Sequence, residues 1–167
     1  VAQRPSSIPA GGEPLSAEEQ AAFERAMASI VLGSHLFKTL DEAGRQELLE
    51  GGFVLRFEPG DVLVRQGEPG DTMFVVLEGQ VRVETETPGG TLQLAELGAG
   101  ACLGEVSVLT RAPRTATVTA LGPVTTVSFG RHRIERLLSA HPRVRLLLEA
   151  LVEGRARDTV EKIVGGQ

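Results

Sequence analysis

GAGACLGEVSVLTRAPRTAT, residues 98–117, gathers three glycines, one short helical turn and a strand that opens on an arginine. Gly98, Gly100 and Gly104 let the backbone take conformations closed to other residues and let a ligand lie against bare amides. The segment from Val106 to Leu109 then starts a helix, and the first N–H groups of a helix have no intrahelical partner. Such a start attracts phosphate. Glu105 stands at the same start, is acceptor-only when ionised and would repel phosphate, so its partner is expected to be a hydroxyl. Arg114 offers the matching fork of donors for phosphate oxygens. An acid for a hydroxyl, an arginine for a phosphate and a lip of free amides describe a sugar phosphate held at both ends.

Gly104-Glu105, a short helix and then Pro113-Arg114-Thr115-Ala116 resemble the phosphate-binding cassette of the cyclic-nucleotide-binding domain family. Both anchors, their separation and the small residues after the arginine agree with that pattern, and Leu103 keeps apolar a position where phenylalanine is common. The resemblance implies that Glu105 binds the ribose 2′-hydroxyl and Arg114 the exocyclic oxygens of a cyclic phosphate. It further implies that backbone amides around Gly104, Val106, Ser107 and Ala116 close on the ligand. In the family a hydroxyl in the place of Thr115 is associated with a syn guanine, and it can equally serve the phosphate, so both cAMP and cGMP are implied ligands. Some members cap the base with an arginine on the final helix, for which Arg155 and Arg157 are the candidates. An aromatic cap has no source: the chain holds no Trp or Tyr, and no Phe follows Phe129.

Outward from the cassette, the pattern has a period of two. Phe53, Leu55 and Phe57 alternate with Val54 and Arg56, and Val62 and Val64 follow Glu58-Pro-Gly-Asp61, a type II turn signal that Glu68-Pro-Gly-Asp71 repeats. Strands are expected at 73–77, 80–85, 92–97, 115–120 and 125–129, with a hairpin at Pro88-Gly89-Gly90. The glycines at 60, 67, 70 and 79 read as turn formers. Short strands closed by glycine turns predict an antiparallel β-barrel or jelly roll over residues 53–129. With helices on either side, the fold class is α+β.

Residues 1–15 hold proline, glycine and serine with little to bury and read as a flexible lead-in. Ser16-Ala-Glu-Glu19 is a capping box, and Phe23, Ala26, Met27 and Ile30 share the face of a helix expected to reach about Val31 before Gly33 ends it. Asp41 caps a second short helix running to Gly51-Gly52, which closes an N-terminal helical unit at residues 16–52. After the strands, residues 130–164 return to a helical period. One helix carries Ile134, Leu137 and Leu138 and stops near His141, and the next starts at Pro142 with Val144, Leu147, Leu148 and Leu151 on one face. Gly154 is the expected hinge, and Val160, Ile163 and Val164 continue an apolar stripe able to cover the pocket, pack on the barrel or pair with a second copy or an effector.

The chain has 167 residues, a hydrophobic share of 41% and a net charge of −5, which suit one globular domain and argue against a nucleic-acid-binding protein. No apolar run approaches the about 20 residues of a membrane span, and the single cysteine, Cys102, has no partner for an internal disulfide, so a cytoplasmic setting is expected. A metal-dependent β-barrel needs imidazoles pointing inward, but His35, His132 and His141 all lie outside the strand block. No catalytic residue and no metal ligand is assigned, and no enzyme signature is present. The function read from the sequence is a cyclic-nucleotide sensor or regulatory module that transmits occupancy by moving its flanking helices. The alternative is a ligand-less interaction or scaffold domain on the same barrel.

Overall fold

A computed structural model of the chain describes residues 13–151. In chain order it contains β1 (Glu13–Pro14), α1 (Ala17–Arg25), α2 (Met27–Gly33), α3 (His35–Thr39) and α4 (Glu42–Glu50). The strand block follows as β2 (Phe53–Phe57), β3 (Val62–Val64), β4 (Thr72–Glu78), β5 (Val81–Thr87), β6 (Gly90–Leu97) and β7 (Cys102–Leu103). Then come α5 (Glu105–Thr110), β8 (Thr117–Ala120), β9 (Val124–Gly130), α6 (Arg131–Ala140) and a last helix, α7, over residues 142–151.

The strands form two antiparallel sheets, one of five in the order β1-β2-β9-β4-β7 and one of four in the order β3-β8-β5-β6. This is the jelly-roll architecture with flanking helices that the turn-bounded strands predict. Strand β4 explains why the pattern there is a continuous apolar run. Its Phe74 and Val76 join Leu55, Leu63 and Val118 in a core fed by both sheets, whereas Met73, Val75 and Leu77 join Phe23, Phe37 and Ile134 in a second core under the helices. Both faces of β4 are therefore dry, and alternation disappears.

The capping box is present as read, with Ser16 Oγ accepting from Glu19 N at 3.2 Å and Glu19 Oε1 accepting from Ser16 N at 2.9 Å. The single helix expected to follow is divided at Ala26 into α1 and α2. Asp41 caps α4 through Gly44 N at 2.7 Å. The short helix α3 is an addition to the sequence reading, capped by Ser34, whose Oγ accepts from Phe37 N at 3.1 Å. Phe37 holds α3 on the sheet through ring contacts with Phe23 and Phe129 at centroid distances of 5.5 and 5.7 Å. In α7 the expected apolar face is only partly used: Leu148 is buried and Val144 packs against the core, while Leu147 is 60% and Leu151 38% exposed. The hinge at Gly154 and the stripe beyond it lie outside the described residues.

Glu58–Asp61 is the turn predicted, with Gly60 at φ +89° and Asp61 N donating to Glu58 O at 2.9 Å. Its apparent repeat is not. The left-handed glycine of the second loop is Gly67, at φ +86°, and the turn is closed by Glu68 N on Arg65 O at 3.1 Å. Gly70 has another purpose, described below.

Replacing Phe37 by alanine removes the ring that joins α1, α3 and β9, and equilibrium urea unfolding is expected to show a loss of about 3–5 kcal/mol. A loss below about 1 kcal/mol would mean that the helices do not unfold with the sheets.

Candidate functional site

The cassette is built around one buried cation. The backbone of Arg114 pairs with the loop between β3 and β4, its N donating to Glu68 O and its O accepting from Gly67 N, both at 2.9 Å. This sends the side chain inward, where it is 3% exposed. Its Nη2 donates to Thr72 O at 2.8 Å and its Nη1 to Gly104 O at 3.2 Å. Among the described residues its Nε has no hydrogen-bond partner, and no carboxylate lies within ion-pair distance. Burial pulls the guanidinium down from its ordinary value to about 10, Asp71 acting against that shift and Arg131 with it. At neutral pH it remains a cation whose charge has been taken out of water without an ion-paired carboxylate.

Two glycines make room for that side chain. A Cβ on Gly70 would lie 2.0 Å from Arg114 Nε and 2.1 Å from Cζ, although Gly70 has no left-handed φ to demand glycine. Its absence of a side chain is thus a requirement of the site, which corrects its reading as a turn former. Gly104 is constrained twice, by φ +80° and by a Cβ position 2.4 Å from Arg114 Nη1. As the residue before α5 it also supplies the left-handed turn into the helix, which has no side-chain cap. Arg111 ends α5 in the left-handed region at φ 63°, the one non-glycine there among the described residues, and its guanidinium is held by Glu135 at 2.9 and 3.2 Å.

Glu105 is 1% exposed. Its Oε2 accepts from Ser34 Oγ at 2.5 Å and Leu36 N at 3.2 Å, and its Oε1 from His35 N at 3.1 Å. The cassette carboxylate therefore also fastens the start of α3.

A cavity of about 180 Å³ lies between the inner face of the four-stranded sheet and the cassette. Val64, Val83, Leu94, Leu97 and Val118 supply its apolar wall. Gly104, Glu105, Val106, Ser107, Arg114, Thr115 and Ala116, all seven cassette residues singled out in the sequence, line the same cavity. The Thr115 residue is exposed at its mouth. Arg155 and Arg157 lie outside the described residues. A more open cleft of about 700 Å³ beside α6 is lined by Arg111, Arg131, His132, Glu135 and Arg136. Two of its cations are already engaged there, Arg111 by Glu135 and Arg131 by backbone carbonyls.

A model of the cyclic nucleotide-binding domain matches residues 54–141, just over half of the chain. The chain belongs to that family. The cAMP-dependent protein kinase regulatory subunit of Dictyostelium discoideum is 36% identical over 106 residues, covering 61% of this chain and 32% of that protein. A lysophospholipase of Aspergillus fumigatus is 35% identical over 106 residues, 63% of this chain and only 7% of the enzyme. The N-terminal domain of a transcriptional regulator from Streptomyces coelicolor A3(2) superposes with a TM-score of 0.64 at 33% identity, over 78% of this chain and 94% of that one. The chain thus spans about a third or less of these two curated relatives, and the cyclic nucleotide-binding domain is a regulatory unit set within larger proteins. Among the described residues no helix is long and apolar enough to cross a membrane.

Three participants escaped the sequence reading. Ser34 sits outside the cassette, at a position that reads only as a helix junction. Thr72 contributes a carbonyl, which no side-chain pattern announces. Arg131 reads as one of a run of arginines, yet its Nε donates to Val108 O at 3.1 Å and its Nη2 to Gly70 O at 2.6 Å and Ser107 O at 3.0 Å. It ties the first turn of α6 to both α5 and the loop under Arg114.

The two kinds of glycine are separable by substitution. Gly60→Ala meets no atom within 4 Å and is expected to lose about 1 kcal/mol of stability with nucleotide affinity unchanged. Gly70→Ala drives a methyl into the guanidinium and is expected to weaken cyclic-nucleotide binding by about tenfold or more, read by isothermal titration. Equal affinities in the two variants would remove Gly70 from the site.

Proposed function

We propose that this chain is a sensor module whose cavity takes a 3′,5′-cyclic mononucleotide, cAMP or cGMP, and that its flanking helices report occupancy. One observation carries this reading: Arg114 is a buried cation with an unsatisfied Nε and no ion-paired carboxylate, at the edge of a cavity with an apolar wall. A monoanionic phosphate supplies the missing charge, and the amides that open α5 supply further donors to it. Glu105 accepts the ribose hydroxyl, and Val83, Leu94 and Leu97 receive the apolar part of the nucleoside. Thr115, exposed at the mouth, serves either the phosphate or the base.

Transmission follows from the connections of the empty-handed donors. Phosphate draws Arg114 and the α5 amides toward one point. Arg131 holds the carbonyls of Ser107 and Val108 and that of Gly70 at once, so a shift of α5 relative to the loop is felt at the start of α6. Helices α6 and α7 then repack, and α7 carries the change to an effector or a second copy. Ligand drives this only to the extent that it binds the two arrangements unequally.

The test is a thermal-shift titration of nucleotide-free protein with cAMP, cGMP and cyclic di-GMP, run beside Arg114→Ala. At a hundredfold excess over Kd a cyclic mononucleotide is expected to stabilise by about 2.7 kcal/mol, a rise of several degrees in a domain of this size. In Arg114→Ala the affinity is expected to fall by about 2–5 kcal/mol, abolishing the shift. No shift with any nucleotide would replace the sensor by the ligand-less scaffold. A shift that survives Arg114→Ala would place the ligand elsewhere.

A further inference from the structure

We propose that Ser34 is a positioning residue of the nucleotide site, fixing the Glu105 carboxylate for a ribose 2′-hydroxyl and thereby linking α3 to ligand affinity; this rests on the nucleotide reading above. Ser34 lies 71 positions before Glu105 and is 1% exposed. Its hydroxyl has one proton. The Phe37 amide donates to its oxygen at 3.1 Å, and an ionised carboxylate can only accept, so the proton is directed to Glu105 Oε2 at 2.5 Å. A hydrogen bond from a hydroxyl to a carboxylate at that distance belongs to the strong, charge-assisted class.

The neighbouring backbone completes the arrangement. His35 N reaches Oε1 and Leu36 N reaches Oε2, so three successive residues, 34 to 36, donate to both oxygens of one side chain. Held at both ends, the carboxylate has one orientation. A ligand hydroxyl then meets an acceptor whose rotamer is already chosen, and binding is spared the entropy of choosing it. Without the serine the shortest of these bonds is gone, and the orientation of the buried carboxylate is less tightly fixed. The Ser34 hydroxyl oxygen also caps α3 through Phe37 N, and α3 is packed on β9 through Phe37 and Phe129, so the same serine joins the carboxylate to the helical core. By linkage, whatever displaces α3 alters ligand affinity, and ligand alters the position of α3 to the same degree.

The contact at issue is with the 2′-hydroxyl, and the experiment isolates it. Dissociation constants are measured by isothermal titration for cAMP, cGMP and their 2′-deoxy counterparts against the full chain, Ser34→Ala and Ser34→Thr. The wild type is expected to prefer the ribonucleotide. Ser34→Ala is expected to weaken the ribonucleotide by about tenfold, in line with a hydrogen bond to a charged group, while the 2′-deoxy form changes less than about twofold. Ser34→Thr, which keeps the hydroxyl, is expected to retain the wild-type preference. If Ser34→Ala does not fold, Ser34→Gly removes the same hydroxyl at a position where a helix cap tolerates glycine. An equal weakening of both forms would make Ser34 merely structural and overturn the proposal. An unchanged or improved ribonucleotide affinity would overturn it as well. In either case binding by the wild type would leave the nucleotide reading standing, whereas a wild type that binds none of the four ligands would end both.

Discussion

The burial of one guanidinium dictates most of the architecture around the pocket. A cation removed from water with no carboxylate within ion-pair distance is held by carbonyl dipoles, those of Thr72 in β4 and of Gly104 just after its paired strand β7, at one edge of the five-stranded sheet. For Arg114 to reach them, two backbone segments must pass within contact of its planar head, which leaves no room for a Cβ at Gly70 or Gly104. The same need accounts for the paired backbone bonds of Arg114 with Gly67 and Glu68, which aim the side chain before any ligand arrives. A site so arranged is unfavourable by itself and favourable with an anion.

Around this centre the helices are part of the site's mechanics. The outer core under β4 and β9 unites α1, α3, α4 and α6 through Phe23, Phe37, Leu48 and Ile134, so the helices pack as one layer on the five-stranded sheet. Besides the Arg111–Glu135 pair and the Cys102 thiol on the Ile30 carbonyl, two polar connections run from that layer to the cassette. One is Glu105, whose carboxylate fastens α3, and the other is Arg131, whose guanidinium holds the end of α5 and the Gly70 carbonyl. Helix α5 therefore has its first residue bonded to the N-terminal helices and its later carbonyls bonded to the C-terminal ones. Six residues long and opened and closed by left-handed residues, Gly104 and Arg111, it is short enough to move as a unit between them.

Much of this was legible in the chain because it is local. The capping box at Ser16, the Asp41 cap, the turn at Gly60, the stop before Pro142 and the seven cassette residues on one cavity all follow from sequence neighbours a few positions apart. Where reading by neighbours failed, the cause was a distant partner. Pro69-Gly70 copies Pro59-Gly60 in sequence, yet Gly70 is glycine because a side chain 44 positions later, that of Arg114, lies against it. Strand β4 lacks alternation because a helix layer, built from residues before and after the strand block, covers its second face. In α7 the spacing placed Val144, Leu147, Leu148 and Leu151 on one face, but Leu148 is buried and Val144 partly buried in the helical core while Leu147 stays exposed.

By itself, then, the sequence determined the class of fold, the strand block with helices on either side, and the chemistry of the cassette: an acid, an arginine and glycines at fixed separation, while the strand β1 within the expected lead-in, the split into α1 and α2, and α3 emerged only in the structure. Periodicity, capping and turn preferences are set by residues within a few positions, so they survive without knowledge of the fold. The tertiary structure alone decided which groups those residues face. It placed Ser34 against Glu105 and Thr72 O against Arg114, and it put Arg131 across two loops. Each of these is a contact between segments far apart in the chain, made by a hydroxyl, a carbonyl or one arginine among many. Such groups carry no local pattern, and only the packing of sheets and helices brings them within hydrogen-bond range.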